Sequence, residues 1–275
     1  MFNHEYISSR SNPIVKWAAS LSEKKGREAS KSFIAEGEKL TFEAISASLP
    51  ITHVFVCESQ KARIIDKLHR ELVDKKYQDV RVIVLSESAF EKISTEKSPQ
   101  GVISVIKHLD FFSIFDIIYK KNFFLGQHER AIVLYSVRDP GNLGAVIRSS
   151  VAFGVDRIIL SADCADIYNP KTVRSAMGSL FRVKISVVAD MREFIDAAKE
   201  NGRRVFSAEL TDDAKSLSDV SLNGSDIVII GNEGHGIPKD ISSLTNGSIY
   251  IPISKKTESL NASVAAAIFM WEQSK

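Results

Sequence analysis

The sequence predicts a mixed α/β protein. A small α/β domain comes first, and a larger domain built on a mainly parallel sheet follows it. Three observations carry this. Short Val- and Ile-rich runs alternate with helical-period runs along nearly all of the 275 residues, which is the order expected of α/β units. The strand-like runs of the second half are apolar on both sides rather than alternating, as in a sheet covered on both faces. A 44% apolar and 25% charged composition is that of a globular protein with ample core.

In the first half, Asn12-Pro13 reads as a turn, and Ile14, Val15, Trp17, Ala18 and Leu21 follow at near-helical period. An extended piece at 32–37 leads to a helical run over 39–49 and a strand at 52–59. A charged helix at 62–76, a strand at 80–86, a short helix at 88–94 and a last strand at 101–108 complete this domain. Residues 109–128 read as a linker, with a connector helix over the apolar stretch 111–128. The second domain, 129–275, gives strands at 131–137, 156–162, 183–188, 203–210, 226–232 and 248–253. Helices fall between them at 145–153, 171–180 and 191–200, and a final one at 263–273.

No apolar stretch approaches the roughly 20 residues needed to span a bilayer, and the first residues lack the apolar core of a signal peptide. Both point to a cytoplasmic chain without a membrane segment. Cys57 and Cys164 lie far apart without a CxxC pattern, so they read as small buried side chains rather than a disulfide scaffold or thiolate metal site. The net charge is only +2, but the first 31 residues hold six basic and three acidic side chains. Lys24, Lys25 and Arg27 in that stretch are where a polyanion would be met.

Three loops do not read as ordinary scaffold. Each follows a predicted strand, where open α/β sheets place ligands. In RDPGNLGAVIRSS (138–150) a tight turn at Pro140-Gly141-Asn142 runs into a helix that carries Arg148. Such a helix start can hold an anion or can simply be capped. It lacks the GKS or GKT of a P-loop and the GxGxxG of a dinucleotide site, which argues against an NTPase and a dehydrogenase. In VIIGNEGHGIP (228–238) glycines at 231, 234 and 236 surround Glu233, leaving bare backbone for a flat ligand. In IPISKKTESLNASVAAAI (251–268) Ser259, Leu260 and Asn261 open the last helix, and Ser or Asn there also serves as a plain cap. His235 has no companion ligands, and no cluster has metal spacing.

Taken together and in this order, NxGAxxR, GNEGxG and SLNxSxAxA resemble the three signature motifs of the SpoU (TrmH-like) family. These are RNA ribose 2′-O-methyltransferases of the SPOUT class. The likeness runs from about residue 129 to the end. KKGR, FIAEGEKL and QGV in residues 1–108 resemble the small RNA substrate-binding domain often placed before it. The resemblance implies a C-terminal deep trefoil knot, S-adenosylmethionine as cofactor, an RNA partner with rRNA favoured (large subunit first), and a homodimer whose sites combine both subunits. It places Gly231, Ile251 and Leu260 at cofactor-binding backbone positions, with Asn232, Glu233, Gly236 and Ser259 lining the same pocket. Asn142, Arg148, Glu233, Ser259 and Asn261 match residues of catalysis or its scaffolding.

The chemistry agrees with that assignment. A sulfonium methyl is already electrophilic, so no metal is required; the need is to align a ribose hydroxyl and remove its proton. A guanidinium holds its own proton too firmly to act as a base. Arg148 is therefore expected to grip a neighbouring RNA phosphate. A tRNA 2′-O-methyltransferase, or a knotted RNA-binding protein without catalysis, are the alternatives.

Overall fold

The computed structural model describes residues 4–72, 77, 79–109, 125–126 and 128–275. The connector helix expected over 111–128 falls almost wholly outside the described residues. Contacts group the chain into two compact units, Met1–Leu109 with Asp166–Phe181, and Asp110–Ala165 with Arg182–Lys275.

The first unit is a five-stranded mixed sheet. Its strands are β1 (Glu5–Ile7), β2 (Ser32–Glu36), β3 (Ile51–Cys57), β4 (Arg81–Leu85) and β5 (Val102–Lys107), in the order β1-β4-β3-β5-β2. β5 runs antiparallel to both β2 and β3, whereas β4 is parallel to β1 and β3. The fully buried side chains Phe33, Phe55, Ile83 and Phe90 are central to its core. The three-residue β1 is absent from the sequence reading, because a single inward side chain, Ile7, has no readable period.

Helix α1 (Pro13–Ser20) starts where Asn12 accepts the Ile14 N–H at 2.9 Å. A second short helix, α2 (Lys24–Ser30), follows it. Gly26 permits it, since a Cβ there would run into the Ser20 carbonyl. Helices α3 (Glu38–Ser46), α4 (Lys61–Glu71) and α5 (Glu87–Ile93) complete this part.

The excursion 166–181 joins this unit through specific bonds, although the sequence reading keeps it within the domain 129–275. Arg27 Nη2 donates to Asp166 Oδ2 at 2.6 Å. The Tyr168 ring stacks on Phe33 and His108, with centroids 4.5 and 4.2 Å away. Helix α7 (Pro170–Ala176) carries Arg174, which donates to Thr95 Oγ1 at 2.7 Å.

The second unit is a seven-stranded sheet in which every pairing is parallel. Its strands are β6 (Ala131–Leu134), β7 (Arg157–Ser161), β8 (Lys184–Val188), β9 (Val205–Ala208), β10 (Lys215–Ser216), β11 (Ile227–Ile230) and β12 (Ser248–Tyr250). They run in the order β10-β12-β9-β11-β6-β7-β8. The inner strands β6 and β11 are buried along their whole length, which is why their sequences do not alternate. Helix α6 (Pro140–Ala152) packs against the terminal helix α10 (Ala262–Gln273), while α8 (Met191–Glu200) and the short α9 (Lys239–Ser242) complete the unit. The Gln273 side chain is buried at the base of the sheet, where it donates to the Asp226 carbonyl at 2.8 Å. Because all seven strands point the same way, the segments leaving β6, β9, β11 and β12 emerge at one edge of the sheet. That edge is where α/β sheets hold ligands.

Candidate active site

Residues 135–139 leave β6 and turn directly into α6. The expected free turn at Pro140-Gly141-Asn142 is instead the first turn of this helix. Asp139 is its cap, accepting the Asn142 N–H at 2.8 Å, and Pro140 takes the first helical position, where no N–H is needed. Asn142 thereby leaves the helix start with its carboxamide free to bond elsewhere.

That carboxamide joins all three loops. Asn142 Nδ2 donates to Glu233 Oε1 at 2.6 Å, and Asn261 Nδ2 donates to Asn142 Oδ1 at 2.9 Å. Asn261 Oδ1 accepts the Ser263 and Val264 N–H groups at 2.9 and 3.4 Å, capping α10. Each amide can point only one way. A backbone N–H can only donate and a carboxylate only accept, so the row is oriented from helix cap to carboxylate. Asn261 thus caps α10 with one end of its amide and joins the row with the other.

The Glu233 loop is braced from behind. Asn232 Nδ2 donates to the Ser136 carbonyl at 2.7 Å, while its Oδ1 accepts the Gly234 and His235 N–H groups at 2.9 and 3.1 Å. Backbone bonds between Asn232 and Gly236 close the loop in both directions. Ser136 is left-handed, with φ 56°, a conformation uncommon for a residue with a side chain. Its hydroxyl donates to Asp163 Oδ2 at 2.6 Å and its N–H to the Ser161 hydroxyl at 2.8 Å. Ser161 bonds the other oxygen of Asp163 at 2.6 Å, and Arg138 pairs with this carboxylate at 3.1 Å. Burial pushes the Asp163 carboxyl up, but the bonds from Ser136, Ser161 and Arg138 outweigh it and hold the group below the usual carboxylate range.

Two of the glycines shape the loop itself. A Cβ on Gly231 would lie 2.6 Å from the Gly236 carbonyl carbon, so Gly231 lets the loop close on itself. Gly236 has open space but a φ of +65°, which a side chain would disfavour.

Beside this row lies a cleft open to solvent. Ile251, Ser259 and Leu260, three of the residues the family motifs point to, line it together with Glu209, Ala265 and Phe269. Gly231, Asn232 and Gly236 are not among its lining residues. The Ser259 side chain is exposed.

Arg148 is exposed and makes no hydrogen bond or ion pair among the described residues. It lies six residues beyond Asn142 on the same helix, about 9 Å along the axis and on another face. Within one chain the structure does not bring it to the Asn142–Glu233 row.

Of the expected RNA-binding residues, Lys24 and Lys25 are exposed, and Lys24 lies 3.8 Å from Glu28. Arg27 is a correction: it is 2% exposed, and its guanidinium is committed to Asp166 and to the carbonyls of Leu21 and Ser22. A buried, fully bonded guanidinium is structural rather than a phosphate contact. Ser136, Asp163 and Glu209 escaped the sequence reading because their significance lies in partners far along the chain. Only the left-handed Ser136 and the strand-end position of Glu209 mark them.

A family model of SpoU rRNA methylases matches residues 129–271, and one of MRM3-like substrate-binding domains matches residues 12–104. The chain belongs to the SpoU rRNA methylase family. It is 30% identical over 265 residues to the Bacillus subtilis 23S rRNA (guanosine(2553)-2′-O)-methyltransferase RlmP, covering 96% of this chain and 97% of that one. An AdoMet-bound rRNA methyltransferase from Sinorhizobium meliloti superposes with a TM-score of 0.82 at 27% identity, over 98% of this chain and 97% of the other. A TrmH-family RNA methyltransferase structure from Porphyromonas gingivalis gives 0.76 at 28% identity, over 94% and 96%. The protein is thus an S-adenosylmethionine-dependent RNA methyltransferase. Among the described residues no helix is long and apolar enough to cross a membrane.

The cleft fits that cofactor. Ile249, Ile251, Leu260 and Phe269 give an apolar wall suited to an adenine ring, and Glu209 and Glu258 are the charged residues on its rim. An acidic rim suits a ligand that carries a sulfonium and an ammonium.

Proposed function

We propose that this chain methylates the 2′-hydroxyl of a ribose in 23S rRNA. The observation that carries the reading is the hydrogen-bonded row Asn261–Asn142–Glu233, which ties the three family motifs into one rigid group beside the cofactor cleft. The Bacillus relative, named for 23S rRNA and similar over nearly its whole length, supports the substrate. The match to a substrate-binding domain over residues 12–104 supports residues 1–108 as the RNA-docking part, with Lys24 and Lys25 on its surface. Residues 129–275 then form the methyltransferase domain, knotted as in the family, and the protein acts in the cytoplasm.

The bound cofactor supplies an electrophilic methyl on a sulfonium. The chain's own residues do the rest. Ile251, Ser259 and Leu260 seat the cofactor, while Asn142 and Asn261 hold Glu233 and the cofactor loop in one geometry. Arg148 grips the RNA phosphate next to the target ribose with both arms of its fork, so that the phosphate or a water receives the hydroxyl proton. Because Arg148 stands away from this row in its own chain, it serves the site of a second copy, and the protein is a homodimer. The outer face of α10, where Val264 and Trp271 are 47% and 50% exposed, offers apolar surface for that pairing.

The test is transfer of labelled methyl from S-adenosylmethionine to separated 23S rRNA, 16S rRNA and tRNA, with Arg148→Ala as control. Label confined to 23S rRNA, at one alkali-resistant phosphodiester and lost in the variant, is the expected outcome. Label in tRNA alone refutes the substrate, and label at a base refutes ribose chemistry. A monomer of about 30 kDa by light scattering at micromolar concentration with full turnover refutes the shared site.

A further inference from the structure

Glu209 follows β9 directly, at the strand-end edge where the cofactor cleft lies, and belongs to none of the three motifs. Its carboxylate is held on one side only. Oε1 accepts from the Ser207 hydroxyl at 2.9 Å and from the Ser248 hydroxyl at 3.0 Å. Its backbone N–H donates to the Ile249 carbonyl at 3.2 Å, fixing the residue between β9 and β12. Oε2 has no partner among the described residues, and Glu209 is half-buried in the lining of the cleft. A carboxylate with one oxygen anchored by two hydroxyls and the other left open is a preorganised acceptor.

The surroundings decide which group it accepts. The wall around Glu209 is Leu210, Ile249, Ile251, Leu260 and Phe269. That wall suits the adenine of the cofactor. The polar group attached directly to adenine is the ribose, whereas the amino-acid end is separated from it by the 5′ carbon and the sulfur. An acidic side chain at a strand end that takes ribose hydroxyls is a general solution in α/β sheets. We propose that Glu209 binds the ribose hydroxyls of S-adenosylmethionine through Oε2, with Ser207 and Ser248 as its positioning residues.

This rests on the reading that the cleft beside Leu260 seats the cofactor, and the test separates the two. Binding of S-adenosylhomocysteine and of its 2′-deoxy and 3′-deoxy forms is measured by calorimetry on the full chain, for wild type, Glu209→Gln and Leu260→Arg. The amide oxygen of Gln still accepts the two serine hydroxyls, so only the charged oxygen is lost. A hydrogen bond to a charged group leads us to expect about tenfold weaker binding when the critical hydroxyl is removed from the ligand. Glu209→Gln should weaken the parent ligand by a similar factor and the corresponding deoxy form hardly at all. A wild type indifferent to both deoxy forms overturns the proposal without needing any variant to fold. Equal weakening of all three ligands by Glu209→Gln also overturns it, because the contact would then be to the amino-acid end or to the wall. Loss of all binding in Leu260→Arg alongside either of those results leaves the cleft reading standing and only the Glu209 role refuted. Retained binding in Leu260→Arg refutes the cleft reading, and the Glu209 proposal with it.

Discussion

Asn142→Asp changes one atom type at the centre of the site, and its consequences can be worked from the geometry. The wild-type amide donates to Glu233 Oε1 at 2.6 Å. The replacement puts two carboxylate oxygens at that separation. Two unit charges 2.6 Å apart repel by about 1.6 kcal/mol in a water-like dielectric, the appropriate end of the scale for an exposed pair. The lost hydrogen bond adds about 1 kcal/mol. The row therefore opens at a cost of about 2–3 kcal/mol, and Glu233 leaves its place against the Asn142–Asn261 amides. The same repulsion opposes ionising both carboxyls in the folded variant, so its stability deficit is smallest in acid, where one proton is shared, and grows as pH rises. The assay is methyl transfer to 23S rRNA with thermal melting at pH 5.5, 7 and 8.5, with Asn142→Ala as a pH-independent reference. Expected at pH 8.5 are at least tenfold slower turnover and a melting point lower by several degrees, both partly restored at pH 5.5. Wild-type turnover and melting in Asn142→Asp at pH 8.5 would refute the claim that the row organises the site.

Three further outcomes follow from the same structure. Gly231→Ala drives a methyl group against the Gly236 carbonyl carbon, 2.6 Å away. It should weaken S-adenosylhomocysteine binding by tenfold or more in calorimetry, and unchanged binding would show that the loop opens freely. Arg27→Met removes a buried cation from Asp166, at a cost of about 3–5 kcal/mol for a broken buried pair. Its melting point should fall while the salt dependence of RNA binding stays at the wild-type slope. Lys25→Ala should leave melting unchanged and flatten that slope by nearly one unit, so a reversed pattern would restore Arg27 as the RNA contact. Finally, burial and then the nearby Arg81 push His53 down from 6.5 to about 4. A depressed folded pKa gives stability that is complete above 6.5 and is lost as pH falls towards about 4. His53→Gln should therefore flatten the fall in melting temperature across that window, and an identical fall in both proteins would contradict a neutral, half-buried His53.

The sequence by itself determined the fold class, the order of the main strands and the three loops. Those are local properties. Continuous apolar runs such as Ile227–Ile230 have to be covered on both faces, and the loop residues are readable as Gly, Pro, Asn and Ser at fixed spacing. Short elements were not legible: β1 and β10, of three and two residues, exist only because a neighbouring strand supplies their hydrogen bonds. The excursion 166–181 followed the same rule. Arg27 looks like a surface cation in the sequence, and Asp166, 139 positions away, joins the nearby Leu21 and Ser22 carbonyls in making it a core residue. At the site, the motifs named Asn142, Glu233 and Asn261 but not the row they form, because each amide's orientation is set by a partner on another loop. Ser136, Asp163 and Glu209 carry no motif at all. The parallel sheet brings four strand ends to one edge, and that tertiary placement gives three ordinary polar residues their partners.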